Sequence, residues 1–190
     1  MKINKHILWI TQTALLVALL VGWQAVSRNI PGTLVTGMGV NFILVIATVV
    51  CSLPTGISVA VISPIMAQLA GISPPFPILV PILAAGNIVF VFVWYFIGCR
   101  VCTHLSGSAG TVSFKKVSIC RIIALVISAI AKFGVIYFGV TVIAVGLIGS
   151  ELPPPVLAAF GVRQLFTALM GGGLAFLTIP AFNKALPSVQ

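Results

Sequence analysis

The stretch TALLVALLVG, residues 13–22, is apolar enough to cross a lipid bilayer, and it has a small residue at every fourth position. These small residues are Ala14, Ala18 and Gly22, which share one face because residues four apart are neighbours on a helix. A helix that contacts only acyl chains does not need this spacing, whereas close approach of a second backbone does. The stretch therefore predicts a membrane helix with a face for another helix, from this chain or from a partner.

The whole chain of 190 residues has the same apolar character. It is 60% hydrophobic and only 6% charged, whereas soluble domains contain roughly a quarter charged residues. This composition predicts an all-α integral membrane protein with a single transmembrane domain over residues 1–190. Proline, glycine and polar residues divide the apolar sequence into six predicted spans, at about 7–26, 36–53, 56–72, 78–98, 117–140 and 160–182.

The lysine and arginine residues predict the orientation of these spans. With six spans, one side holds Lys2, Lys5, Arg100, Lys115, Lys116 and Lys184, and the other side holds Arg28 and Arg163. Because basic residues accumulate in cytoplasmic loops, we expect both termini to be cytoplasmic. The net charge of +9 does not predict nucleic-acid binding, since the basic residues are not clustered into a patch with aromatics.

Polar side chains within or beside four predicted spans mark a candidate substrate-binding site. At 1.5 Å per residue, Lys132 lies about 22 Å from the cytoplasmic end of the fifth span, and Asn87 and Asn41 lie about 13 Å and about 8 Å from the outer ends of theirs. Arg163 and Gln164 begin the sixth span on the outer side. Intramembrane ionisable and amide groups are functional candidates. Their convergence in the outer half predicts a solute site open to the outside.

The charges of this site favour an anionic group on the solute. Arg163 and Lys132 are cationic, and the single acid of the chain, Glu151, is the only carboxylate nearby. Two cations and one acid leave a net positive charge, which a carboxylate or phosphate group on the solute would match. An alternative interpretation, in which these residues have only structural roles, stays open. In it, Lys132 extends towards the membrane interface, Arg163 anchors the end of a span, and the amides bridge helices.

The sequence lacks the residues of an enzyme or of a self-energised pump. One glutamate and no aspartate leave no paired carboxylates for acid–base chemistry, and no G-x-x-x-x-G-K-[ST] loop is present. We expect no catalytic residues and no cofactor. Carriers driven by ion gradients often use intramembrane acids as proton relays, and the predicted spans contain none. Uphill transport would therefore need an energising partner.

The cysteines give only a weak metal signal. Cys99 and Cys102 lie close to His104, but zinc usually has four ligands, and Cys120 would have to reach across a loop. Because cytoplasmic thiols stay reduced, we expect free thiols and no metal. Trp94 and Tyr95, near the inner end of the fourth span, are expected to be interfacial aromatics.

The chain resembles the substrate-binding S component of an energy-coupling factor (ECF) transporter. The resemblance covers the first four spans well and the last two loosely. Its features are the predicted six spans with both ends inside, the A-x-x-x-A motif of Ala14 and Ala18, and the run 37–87 with Asn41, the Ser63-Pro64 break and Gly86-Asn87.

The resemblance implies an S-component-like bundle in a bacterial plasma membrane that binds a vitamin or related micronutrient at its outer face. It also implies that Ala14 and Ala18 dock onto a transmembrane T component, which carries two ABC-type ATPases. Gly22 would extend this docking face. Pantothenate fits as a small carboxylate, and folates, other vitamins and nucleobase-like precursors stay open. The alternatives are a solitary small-solute facilitator or exporter that dimerises through this face, and a non-transport membrane assembly protein.

Overall fold

The computed structural model describes residues 4–30, 34–72, 76–102, 114–148 and 152–185, except for the side chains of 114–117 and 183–185. All regular structure in these ranges is helical. The helices are α1 (Lys5–Ser27), α2 (Leu34–Ile46, continued by the π-helical Ala47–Cys51), α3 (Leu53–Leu69), α4 (Leu79–Val93, continued by the π-helical Trp94–Val101), α5 (Phe114–Phe138, continued by the π-helical Gly139–Ala144 and by Val145–Ile148), α6 (Pro154–Phe160) and α7 (Val162–Ala185).

Short polar residues start two of these helices. The Asn4 side chain accepts a hydrogen bond from the His6 amide at 3.0 Å and caps α1. Ser52 is the one residue between α2 and α3, and its Oγ accepts from the Thr55 amide at 3.3 Å. Such side chains satisfy amide donors that have no partner within the helix. A single serine thereby allows the chain to turn directly from α2 into α3.

Five helical segments of the described chain are long and apolar enough to cross a membrane. They are Lys5–Ser27, Leu34–Cys51, Leu79–Val101, Ser118–Ile148 and Pro154–Phe182. The remaining apolar helix, α3, has 17 residues and is about 26 Å long, slightly less than the roughly 30 Å hydrocarbon core. Pro64 lies inside α3 without ending it. The protein is therefore an all-helical, multi-pass membrane protein.

Glycines allow close packing of α2 against α7, the pair of helices in most extensive contact. A Cβ atom on Gly171 would meet the carbonyl oxygen of Met38, and one on Gly37 would lie 2.8 Å from the Thr167 methyl group. Backbones in lipid approach closely where residues are small. This packing brings the first turns of α7 beside the first turns of α2.

Two apolar clusters hold the bundle together. The larger includes Leu44, Phe90 and Trp94, and the smaller includes Ile136 and Phe160. Trp94 is only 2% exposed, so the expectation of an interfacial tryptophan is wrong. The ring is buried because it packs within the larger apolar cluster, between helices of the bundle.

A disulfide joins Cys102, just after the π-helical end of α4, to Cys120 in the first turns of α5. The expectation of free thiols is therefore wrong for these two residues. The two helix ends bring the Cα atoms to 5.8 Å, within the usual range for a bridge, so Cys120 does not have to cross a loop. Cys51 and Cys99 are not part of a disulfide.

Candidate functional site

A cavity of about 390 Å³ with several polar side chains in its wall lies where the end of α1, the start of α2 and the last turns of α3 meet. Parts of α4, α5, α6 and α7 complete its wall. All five residues predicted from the sequence line it: Asn41, Asn87, Lys132, Arg163 and Gln164. Its volume falls within the range of small-molecule sites. The structure thus brings together side chains from four helices that are far apart in the sequence.

Lys132 is held between two amides that come from two other helices. Its Nζ donates to Asn41 Oδ1 at 2.6 Å and to Asn87 Oδ1 at 2.8 Å. The three side chains, which we call the lysine–amide cluster, are each at most 5% exposed. Nζ also lies 5.4 Å from the centre of the Phe90 ring, within cation–π range. Lys132 therefore does not extend towards the membrane interface.

The orientation of Asn41 in this cluster is set by its second group. Asn41 Nδ2 donates to the Gly37 carbonyl at 2.8 Å and to Thr167 Oγ1 at 3.5 Å, and Thr167 in turn donates to the Gln164 carbonyl at 3.1 Å. Because Nδ2 is occupied in this way, Oδ1 faces Lys132. One hydrogen-bonded chain thus runs from α7 through α2 to α5 and α4.

The ammonium group and the second amide retain donors for a further partner. A protonated lysine has three N–H groups, and two of them are accounted for by Asn41 and Asn87. The described part of the chain provides no acceptor for Asn87 Nδ2. Among the described residues that line the cavity, none carries a carboxylate. The cluster can therefore donate to an acceptor in the cavity, and a negative charge would match it best.

Arg163 and Gln164 lie half-buried at the cavity wall, at the start of α7. Gln164 Nε2 donates to the Ala159 carbonyl at 3.4 Å, which ties α7 to α6. Arg28 was predicted only as a basic residue on the outer side. It also lines the cavity, and its side chain donates to the Gly71 carbonyl at 3.3 Å. That bond joins the segments that follow α1 and α3.

Several predictions fall on residues outside the described part of the chain. These are the carboxylate of Glu151, the imidazole of His104, the N-terminal Lys2, and the side chains of Lys115, Lys116 and Lys184. Among the described residues no group of three or more histidine, cysteine or acidic side chains is placed to hold a metal ion.

Sequence reasoning missed a second set of polar residues in the cavity. Gln24 and Ser27 come from the end of α1 and Thr36 from the start of α2, and we call them the α1 polar patch. Ser27 Oγ donates to Thr36 Oγ1 at 2.9 Å. The available signal was a glutamine near the end of a predicted span, since polar side chains within spans are functional candidates.

A second, apolar depression of about 580 Å³ runs along α1 and α3, and we call it the alanine groove. Ala14 and Ala18 line it on α1, and Ile62 and Met66 line it on α3. Gly22 is absent from its lining, although a Cβ there would meet nothing within 4 Å. Only 11% of the apolar window of α1 is buried, against 33–44% for the other long spans. The small residues of α1 therefore do not serve packing within the described chain.

The fold and the cavity define a class: a multi-pass helical membrane protein with an internal polar site and an open apolar groove. Comparisons of the chain with protein-family models, with curated proteins and with solved structures find no match. Any more specific function must be argued from the two sites themselves.

Proposed function

We propose that the protein is the solute-binding subunit of an ECF-type importer and that it binds a small acidic solute, such as a carboxylate-bearing vitamin. The observation that carries this proposal is the lysine–amide cluster, in which a buried Lys132 faces a cavity without a carboxylate in its described lining. An ammonium group removed from water is costly unless it is paired. An acidic solute would supply the missing charge.

The polar content of the cavity supports a bound solute over the structural interpretation. Amides that only join helices need no open space around them, yet Asn41, Asn87 and Lys132 all border a cavity of about 390 Å³. Arg163 and Arg28 border the same space and add positive charge. A carboxylate can accept hydrogen bonds from these donors, and pantothenate is one molecule with such a group.

The alanine groove supports docking of a partner helix. Helices associate in lipid by close packing rather than by a hydrophobic driving force, and small residues permit that contact. Ala14 and Ala18 lie in an open apolar groove on the least buried long span. In the proposal, a transmembrane T component occupies this groove and carries two ABC-type ATPases, which energise import.

The proposal includes an orientation in a bacterial plasma membrane. Six spans would place both termini in the cytoplasm and would open the cavity to the outside. The positive-inside rule supports this arrangement, because two basic residues, Arg28 and Arg163, lie at the cavity end, whereas six lie on the other predicted side. The Cys102–Cys120 disulfide counts against it, since this arrangement places the bridge on the cytoplasmic side, where thiols stay reduced. No catalytic step is assigned to the chain.

The test is a double substitution in the alanine groove, Ala14→Leu with Ala18→Leu, in a tagged protein expressed in its native host. We expect solute binding to survive, while uptake and copurification of the ATPases are lost. A matched control is Ala85→Leu with Ala181→Leu, since both alanines are exposed on other helices. Unchanged uptake by the groove variant would contradict the importer and favour a solitary facilitator.

A further inference from the structure

The side-chain amide of Gln24 is buried in the cavity wall without a partner. Gln24 is 9% exposed and lines the cavity from the last turns of α1. Its Oε1 makes no hydrogen bond to any residue that the structure describes. An unpaired buried polar atom costs about 1–3 kcal/mol, and each such atom in a folded protein calls for an explanation.

The neighbouring hydroxyl groups do not provide that partner. Ser27 Oγ donates to Thr36 Oγ1 at 2.9 Å and lies 3.4 Å from the main-chain oxygen of Gln24. The two hydroxyls of the α1 polar patch are thus joined to each other. A glutamine amide has one acceptor and two donors. A rotation of the Gln24 side chain at the cavity wall would expose its covered Oε1, so that the amide could both donate to and accept from a molecule in the cavity.

Helix α2 contributes one residue to the α1 polar patch and one residue to the lysine–amide cluster. Thr36 belongs to the α1 polar patch and Asn41 to the lysine–amide cluster, and both line the cavity. Five residues of helix separate them by about 7.5 Å along the axis. The cavity thus has a cationic region and a neutral hydrogen-bonding region at different places in its wall.

We propose that the solute has an acidic group that binds the lysine–amide cluster and a neutral group with both a donor and an acceptor, such as an amide, that binds Gln24. This inference rests on the proposed function and narrows its solute class. A simple fatty acid is excluded as the solute, because its chain would leave the Gln24 amide unpaired. Sites with buried polar groups reject analogues that lack the matching group.

The experiment uses the full-length protein in detergent, incubated with the small-molecule fraction of yeast extract. The molecule that it retains is identified by mass spectrometry, and its dissociation constant is then measured for the wild type, Gln24→Leu and Gln24→Asn. Gln68→Leu is the matched control, because Gln68 also has a buried, unpaired Oε1 but is not among the residues that line the cavity.

We expect a retained molecule with both groups, an affinity about tenfold weaker for Gln24→Leu, and an unchanged affinity for Gln68→Leu. The melting temperature of solute-free Gln24→Leu should be equal to or above that of the wild type, since an unpaired buried oxygen is removed. If Gln24 had only a structural role, Gln24→Leu would lower the melting temperature of the solute-free protein and would leave its affinity for the solute unchanged. Gln24→Asn keeps the amide but shortens its reach, and we expect weaker binding in a folded protein.

The outcomes separate this inference from the proposed function. A wild-type protein that retains no molecule overturns both. A retained acid without a second polar group, or equal affinities for the wild type and Gln24→Leu, overturns the inference while solute binding stands.

Discussion

Lys132 Nζ lies 2.6 Å from Asn41 Oδ1, although 91 positions separate the two residues in the chain. The contact joins α5 to α2 and places a lysine that is 2% exposed at the edge of a cavity. A buried cation without a counter-charge is costly, and this cost is the physical basis for an acidic solute. The first two predictions test that relationship directly.

Replacing Lys132 by Met should weaken solute binding and lower the stability of the empty protein. The variant removes a charged donor worth about 1.5–3 kcal/mol, which corresponds to roughly tenfold to a hundredfold in affinity. Because Asn41 Oδ1 and Asn87 Oδ1 both lose their lysine donor, the melting temperature of the solute-free protein should fall. Calorimetric binding and thermal unfolding measure the two effects. Lys5→Met, at the exposed start of α1, is the control, and equal affinities for the two variants would refute the role of Lys132.

Replacing Asn87 by Asp should supply an internal counter-charge to Lys132. The new carboxylate would occupy the position of Asn87 Oδ1, which lies 2.8 Å from Nζ. Charged pairs at this distance are stronger than neutral ones, so we expect a higher melting temperature. Binding of an acidic solute should fall at least about tenfold, because the variant carboxylate repels it. Tighter binding to Asn87→Asp would indicate a cationic solute and contradict the proposal.

Replacing Gly171 by Ala should destabilise the bundle at the contact between α7 and α2. The new methyl group would meet the carbonyl oxygen of Met38 and would lie 2.8 Å from Asn41 Cβ. Backbone atoms cannot move aside as a flexible side chain can, and we expect a loss of about 1–3 kcal/mol in thermal unfolding. Gly173→Ala is the control: nothing lies within 4 Å of its added Cβ, and alanine favours a helix over glycine. A loss of the same size in both variants would argue against close packing at Gly171.

The pairing of Cys102 with Cys120 should be visible in a count of reactive thiols. The chain has four cysteines, of which Cys102 and Cys120 form the disulfide and Cys51 and Cys99 stay outside it. We expect a maleimide-linked polymer to modify the unfolded protein twice when it is purified without reductant, and four times after reduction. Cys102→Ser should give three modifications in both conditions. Four modifications of the unreduced wild type would show that the bridge is absent from the purified protein.

Hydrophobic patterning predicted most of the helical segments. Each predicted span lies mainly on one observed helix, because a bilayer requires long apolar segments whose backbone groups are satisfied within the helix. The separate helix α6 (Pro154–Phe160) was missed, since Pro153 and Gly161 delimit a turn-rich segment between the fifth and sixth predicted spans. The burial of Trp94 was also missed, because burial depends on the helix that packs against it.

The candidate site could be predicted in part. Polar residues are rare in spans, so Asn41, Asn87 and Lys132 stood out from the sequence, and depth along each helix indicated that they meet. Gln24 was overlooked because it lies near a span end, where polar residues are common. The hydrogen bonds between Lys132 and the two amides could not be derived, since they depend on how α2, α4 and α5 are rotated about their axes.

The sequence by itself determined the membrane class, the helical segments and the presence of small residues on one face of α1. These features depend on local composition and on the helical repeat. Only the tertiary structure decided that Ala14 and Ala18 line an open groove, that Lys132 points into a cavity rather than towards the interface, and that Cys102 meets Cys120. Each of these depends on packing between helices distant in the chain, which steric fit rather than local sequence controls.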